Sequence, residues 1–359
     1  MRPSRRALMQ AAMATALSAC SQHSGHASEV RVGPAPPLKA AARFPVGACL
    51  STTGMAEPDT VALILRHFSQ ITPEWEMKME QILADDGGYR FDAADAIARF
   101  CADNRLKLHG TTLVWYAQDP AFFHRMTGER RVFEQSYRDY IAQVVARYRG
   151  LARGWDVVNE AVAEDGHGYR GGIWEQALGP DYARIAFETA RQADPGAVLF
   201  LNDYNLETNP VKLDSFQRLL EGLLKTGAPV SGIGTQTHLP ADLEPGRAGA
   251  AIRALARFGL PIHVSELDVS TRRQGWLPAP TDPDRLRAQA RVVGEVAEAF
   301  MALPAAQRYA FTVWGVRDKD SWLRRGPNAG DGSDQPLLFD DARNAKPAFD
   351  ALRAAFARG

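Results

Sequence analysis

From Phe44 onward the chain alternates short apolar runs that end in polar residues with longer stretches of helical periodicity. This alternation constrains the fold more than any other property of the sequence. The strand-like runs are Phe44–Ser51, His67–Pro73, Leu106–Trp115, Gly154–Asn159, Val198–Asp203, Gly232–Thr237, Pro261–Glu266 and Tyr309–Trp314. Several are apolar almost throughout, as parallel strands covered on both faces must be. Between them lie helical patterns such as Phe133–Tyr148, Tyr182–Asp194, Leu213–Thr226 and Arg285–Leu303. Eight strands alternating with helices predict an α/β chain in one (β/α)8 TIM-barrel domain over 43–359. An open doubly wound sheet is the second choice, but no glycine-rich phosphate loop follows the first strand, so no nucleotide cofactor is expected.

The polar residues gather at one end of these strands. Glu74, Lys78, Asn159, Glu160, Asn202, Asp203, Gln236, His238, Glu266, Asp268 and Trp314 all fall at or just past strand C-termini. In a barrel those ends converge on one mouth, where active sites sit. Two carboxylates stand out there: Glu160 closes Trp155-Asp156-Val157-Val158-Asn159-Glu160, and Glu266 closes His263-Val264-Ser265-Glu266. They end the fourth and seventh strands, which face each other across an eight-stranded barrel. Glycosidic cleavage needs one carboxylic acid to protonate the departing oxygen and a second carboxylate to attack the anomeric carbon or activate water. A separation of roughly 5 Å means retention of configuration. Either glutamate alone would read as a solvated charge; as a facing pair in polar company they read as catalytic.

Several stretches carry a family resemblance. They are Thr72-Pro73-Glu74-Trp75-Glu76-Met77-Lys78, Gly110–Trp115, Trp155–Glu160, Leu199–Asn205, Gly232–His238, Ser265–Asp268, Thr312–Trp322 and Pro336–Asp340. In this order and at these strand ends the chain resembles glycoside hydrolase family 10, the endo-β-1,4-xylanases, over nearly all of 44–356. The resemblance implies a retaining, endo-acting hydrolase of xylan or a related β-glycan, with Glu160 as acid/base and Glu266 as nucleophile. It also implies support from Asn159, Gln236 and a His238–Asp268 pair, and substrate contacts from Glu74, Lys78, Trp115, Tyr204, Trp314 and Trp322. Indoles suit such a cleft because pyranose rings present flat C–H faces. Glu160 must start protonated, which calls for burial or a neighbouring negative charge.

The chain departs from the family pattern at three positions: Trp75 where asparagine is usual, and Thr111 and Tyr116 where histidines are usual. All three are expected on the bank that holds the sugar on the non-reducing side. They point to a decorated or different β-glycan, or a shorter substrate. Two other readings compete: a non-catalytic glycan-binding lipoprotein on the same barrel, and a metal-dependent barrel hydrolase. Intact Glu160 and Glu266 oppose the first. Against the second, His109, His238 and His263 lack ligand spacing, and His263 alternates off the cleft-facing register of its strand, so no metal is expected.

Composition adds boundaries. Lys+Arg and Asp+Glu each total 42, a balance that gives no basic excess for nucleic acid. The start of the chain, residues 1–20, reads as an export signal: Arg5-Arg6, then an apolar run from Ala7 to Ala19 too short to span a bilayer. The paired arginines suggest the twin-arginine route. Leu17-Ser18-Ala19-Cys20 resembles a lipobox that would leave Cys20 as a lipid anchor, placing a monomeric protein in the periplasm, on the outer membrane or outside the cell. Residues 21–42, rich in Ser, His, Gly, Pro and Ala, read as a flexible tether. Cys49 and Cys101 sit in apolar segments and read as buried thiols.

Overall fold

A computed structural model describes residues 36–272 and 282–358. The chain divides into residues 1–36 and 37–359. The export segment with Cys20, and most of the expected tether, lie outside the described residues. In the second unit, β1 (Val46–Leu50), β2 (Gln70–Pro73), β3 (Lys107–Trp115), β4 (Ala152–Asn159), β5 (Val198–Asp203), β6 (Gly232–Thr235), β8 (Ile262–Ser270) and β9 (Arg308–Val313) pair side by side. The β1–β9 and β6–β8 pairings close the ring, and every pairing is parallel. A short strand, β7 (His238–Pro240), adds to β8 outside the ring. This is a (β/α)8 barrel in one domain.

The helices cover it because their apolar stripes recur at helical spacing. In Arg130–Arg147 the buried set is Phe133, Tyr137, Tyr140, Ile141, Val144 and Val145, one face of the helix. Truncating a core member such as Ile141 to alanine costs about 2–5 kcal/mol. The helix Pro210–Lys225 starts sharply: proline occupies its first position, and the Asn209 side chain accepts from the backbone N–H groups of Val211 and Lys212. That start fixes Lys212, which reaches back to the end of β5. Cys49 and Cys101 are buried free thiols. Among the described residues no helix is long and apolar enough to cross a membrane.

Two expectations change. Leu38–Ala41 forms a 3-10 turn with Leu38 fully buried, its N–H directed at His67 Nδ1 at 3.4 Å. The packed domain therefore begins before residue 43: an apolar side chain with a slot to fill overrides the loop-like composition around it. His263 also does not turn away from the barrel interior. It is fully buried with its Nε2 2.8 Å from Thr312 Oγ1, and its ring meets that of His109 at 4.5 Å between centroids. The β8–β9 pairing is irregular between Ile262 and His263 and again between Val264 and Leu267. Such bulges break strict alternation, so His263, Ser265 and Glu266 can all face inward.

Candidate active site

The C-terminal ends of the strands open into a cleft of about 660 Å³, a size suited to a few sugar units. Of the expected site residues, Glu74, Lys78, Trp115, Asn159, Glu160, Tyr204, Gln236, His238, Glu266, Trp314 and Trp322 line it. Asp268 stands just behind, bonded to the wall.

Glu160 follows directly on β4 in a left-handed conformation, φ +57°, which costs a residue bearing a Cβ about 1–2 kcal/mol. Several contacts hold it there. Its N–H donates to Asn202 O at 2.8 Å, its carbonyl accepts from Arg170 Nε at 3.0 Å, and two residues on the Val162 N–H donates to Asp203 Oδ2 at 3.1 Å. Asp203 is wholly buried. Burial pushes its carboxyl up to about 6 against the pull of Lys212, whose Nζ lies 3.0 Å from Asp203 Oδ1.

The side chain of Glu160 is 7 % exposed. Its Oε1 accepts from Gln236 Nε2 at 2.9 Å and from Asn159 Nδ2 at 3.3 Å. Burial raises its pKa above the ordinary carboxylate value; the Gln236 amide and Trp115 indole pull it back, and the charge of Glu266 adds to the rise. Glu266, on β8, accepts at Oε1 from Asn202 Nδ2 at 3.1 Å. The same Asn202 amide donates to Asn159 Oδ1 at 2.8 Å and accepts from Ser265 Oγ at 2.8 Å. Asn202 thus joins the two glutamates into one network, and the backbone makes room for it: a Cβ on Gly234 would lie 2.1 Å from Asn202 Oδ1. Sequence reading placed Asn202 among the strand-end polar residues without giving it this part. Its position beside Asp203 at the end of β5 was the available signal.

On the other side of Glu266 stands His238. The β7–β8 register sets His238 directly opposite Asp268. Nδ1 lies 2.9 Å from Asp268 Oδ2 and Nε2 3.4 Å from Glu266 Oε2. Burial pulls the imidazole down, but Asp268 and Glu266 together overcome this and push it up to about 10. The two carboxylates thus favour the charged form of His238. Asp268 Oδ2 also accepts from Trp322 Nε1 at 2.8 Å, fixing that indole against the cleft.

The far bank is built differently. Lys78 Nζ lies 4.3 Å from the Trp75 ring centroid, 4.7 Å from Trp115 and 5.8 Å from Trp314, an ammonium caged by indole faces. Glu74 does not pair with it; both its oxygens accept from Arg325 Nη1, at 3.0 and 3.3 Å. Arg325 also lines the cleft. Nothing in its sequence context marked it, because the contact depends on the fold of the loop after β9. Thr111 lines the cleft as expected. Tyr116 does not share the Lys78 cage. It stacks on Arg170, 4.1 Å from the guanidinium carbon to the ring centroid, and Arg170 Nη2 donates to Tyr204 OH at 2.9 Å. Tyr116 follows the last residue of β3, where the chain has turned toward the segments after β4 and β5.

Comparison with known proteins agrees with this geometry. The family described as Glycosyl hydrolase family 10 matches residues 38–355. Endo-1,4-beta-xylanase A of a Caldicellulosiruptor species is 35% identical over 328 residues, covering 86% of this chain and 46% of its own length. An endo-1,4-beta-xylanase of Geobacillus stearothermophilus is 34% identical over 318 residues, covering 85% of this chain and 94% of its own. The structure of a thermostable mutant of a Cellvibrio japonicus xylanase superposes with a TM-score of 0.81 at 30% identity, covering 89% of this chain and 99% of that one. The chain thus spans less than half the length of the first relative and nearly all of the other two.

Proposed function

Because the chain belongs to glycosyl hydrolase family 10, we propose that it is an endo-acting β-1,4-xylanase that retains anomeric configuration, with Glu160 as acid/base and Glu266 as nucleophile. The observation that carries this is the Asn159–Asn202–Gln236 network, which ties both glutamates to one cleft while burial raises the pKa of Glu160. In the first step a Glu266 oxygen bonds to the anomeric carbon as the glycosidic C–O bond breaks, and Glu160 gives its proton to the departing oxygen. The sugar is then esterified to Glu266, and the negative charge that helped hold the proton on Glu160 is gone. Glu160, now a carboxylate, takes a proton from water. The water oxygen bonds to the anomeric carbon from the vacated side and releases Glu266 as a carboxylate.

The neighbours have roles that follow from their positions. His238 beside Glu266, its charged form favoured by the two carboxylates, positions the attacking carboxylate. Asn159, held at Oδ1 by two amides, presents its own amide to the sugar 2-hydroxyl. Trp314 and Trp322 stack on sugar faces, as Trp115 does beside Glu160. Trp75 adds an exposed indole, 42 % accessible, where an amide is usual. It favours a decorated or shorter β-glycan over a long bare chain. Export through the paired arginines and lipidation at Cys20 belong to the same proposal. They rest on Ser4–Arg6 and Leu17–Cys20, and radiolabelled palmitate incorporated by wild type but not by Cys20→Ala would test them.

The direct test is trapping. Incubation with a 2-fluoro-xylobioside bearing a good leaving group should add one fluoro-disaccharide to the peptide containing Glu266, and xylan hydrolysis should first release the β-anomer. An adduct on another residue, or first release of the α-anomer, would contradict the assignment.

A further inference from the structure

We propose that His109, Asp156 and His263 form a structural site for one divalent transition metal, zinc by ligand chemistry, inside the barrel below the cleft. All three are buried, at 0–1 % exposure, and each offers a ligand atom within 4.8 Å of the others. His109 Nε2 and Asp156 Oδ1 are already 3.1 Å apart, close to the roughly 3.4 Å between tetrahedral ligands at zinc–nitrogen and zinc–oxygen bond lengths.

The outer contacts have the form such a site requires. Each imidazole is held at one nitrogen by a hydroxyl: His109 Nδ1 lies 3.2 Å from Tyr309 OH, and His263 Nε2 lies 2.8 Å from Thr312 Oγ1. Metal-ligating histidines are oriented in this way, through the nitrogen that does not bind the metal. The opposite nitrogens face the cluster: His109 Nε2 meets Asp156 Oδ1, and His263 Nδ1 is a buried atom with no hydrogen-bond partner among the described residues. A buried polar atom without a partner is destabilising, and donating its lone pair to a metal removes that cost. Two imidazoles and one carboxylate are a borderline-soft nitrogen and oxygen set that suits zinc better than magnesium or calcium.

The position gives the site a use. Asp156 shares β4 with the residues leading to Glu160, and His263 shares β8 with Glu266. A metal joining them, with His109 on β3, would fix the spacing of the strands that carry the two carboxylates, without touching substrate. The site would be loaded during folding, since no ligand atom reaches solvent.

Full-length protein carrying a non-histidine affinity tag would be purified through EDTA and its metal content measured by plasma mass spectrometry. The expected result is about one zinc per chain, falling below a tenth of that in His263→Gln and unchanged in His124→Gln, a substitution at an exposed histidine. Wild type refolded with cobalt should show the visible absorption of a tetrahedral site, with a water enclosed during folding as fourth ligand, a readout that stands even where a variant fails to fold. Less than a tenth of an equivalent of any transition metal in wild type, no cobalt spectrum, or full zinc retention by His263→Gln would each overturn the proposal.

Discussion

The two banks of the cleft are held by different physics. Around Glu160 and Glu266, strand-borne amides form fixed, directional bonds: Asn202 alone touches Asn159, Glu266 and Ser265. Around Lys78, the contacts are an ammonium over three indoles and an ion pair between Glu74 and Arg325, whose side chain is 48% exposed. Directional bonds inside a dry site lose most of their value when one partner leaves, because the others remain buried and unpaired. Cation–ring contacts are less directional than hydrogen bonds, and the half-exposed Arg325 partner of Glu74 is open to water. The reacting centre should therefore tolerate almost no change, and the far bank should be where substrate preference drifts.

The largest effect should come from Asn202→Ala. It removes the donor shared by Asn159 and Glu266, so kcat on xylan should fall about 100- to 1,000-fold with KM nearly unchanged. Steady-state kinetics check this, and a change mainly in KM would mean that the amide holds substrate rather than the glutamates. Gln236→Leu should act more gently and through pH. The Gln236 amide bonds the charged form of Glu160 and so lowers its pKa; without it the proton is held to higher pH. The alkaline limb of kcat/KM should move upward, and a downward or absent shift would break the assignment of Glu160 as the acid. The smallest effect belongs to the far bank: Trp75→Asn should raise kcat/KM on undecorated xylan about fivefold, the value of one added hydrogen bond. Equal rates would show that Trp75 does not set preference.

The same contrast explains what was legible in the sequence. The strands read directly from their apolar runs. Glu160 and its amide neighbours read from strand-end position; Glu266, expected to close its strand, lies within β8, which runs on to Ser270 to pair with β7. Arg325 was not legible, since its contact with Glu74 spans two loops far apart in the chain. Tyr116 lines the cleft with Trp75 and Thr111, but its stacking on Arg170 is set by tertiary packing and has no signal in the spacing. The inward turn of His263 depended on irregular pairing in β8, to which a period-two reading is blind. Leu38 was overlooked because one buried apolar residue outweighs the loop-like composition around it.

Burial raises the pKa of Glu160, and the negative charge of Glu266 in the same cleft adds to the rise. Carbon-13 NMR titration of glutamate-labelled protein, comparing wild type with Glu266→Gln, measures this directly. Glu160 should titrate above the ordinary carboxylate range in wild type and at lower pH in the variant, because the like charge is removed while burial remains. An unchanged midpoint in Glu266→Gln, or an ordinary midpoint in wild type, would show that Glu266 does not raise the pKa of Glu160.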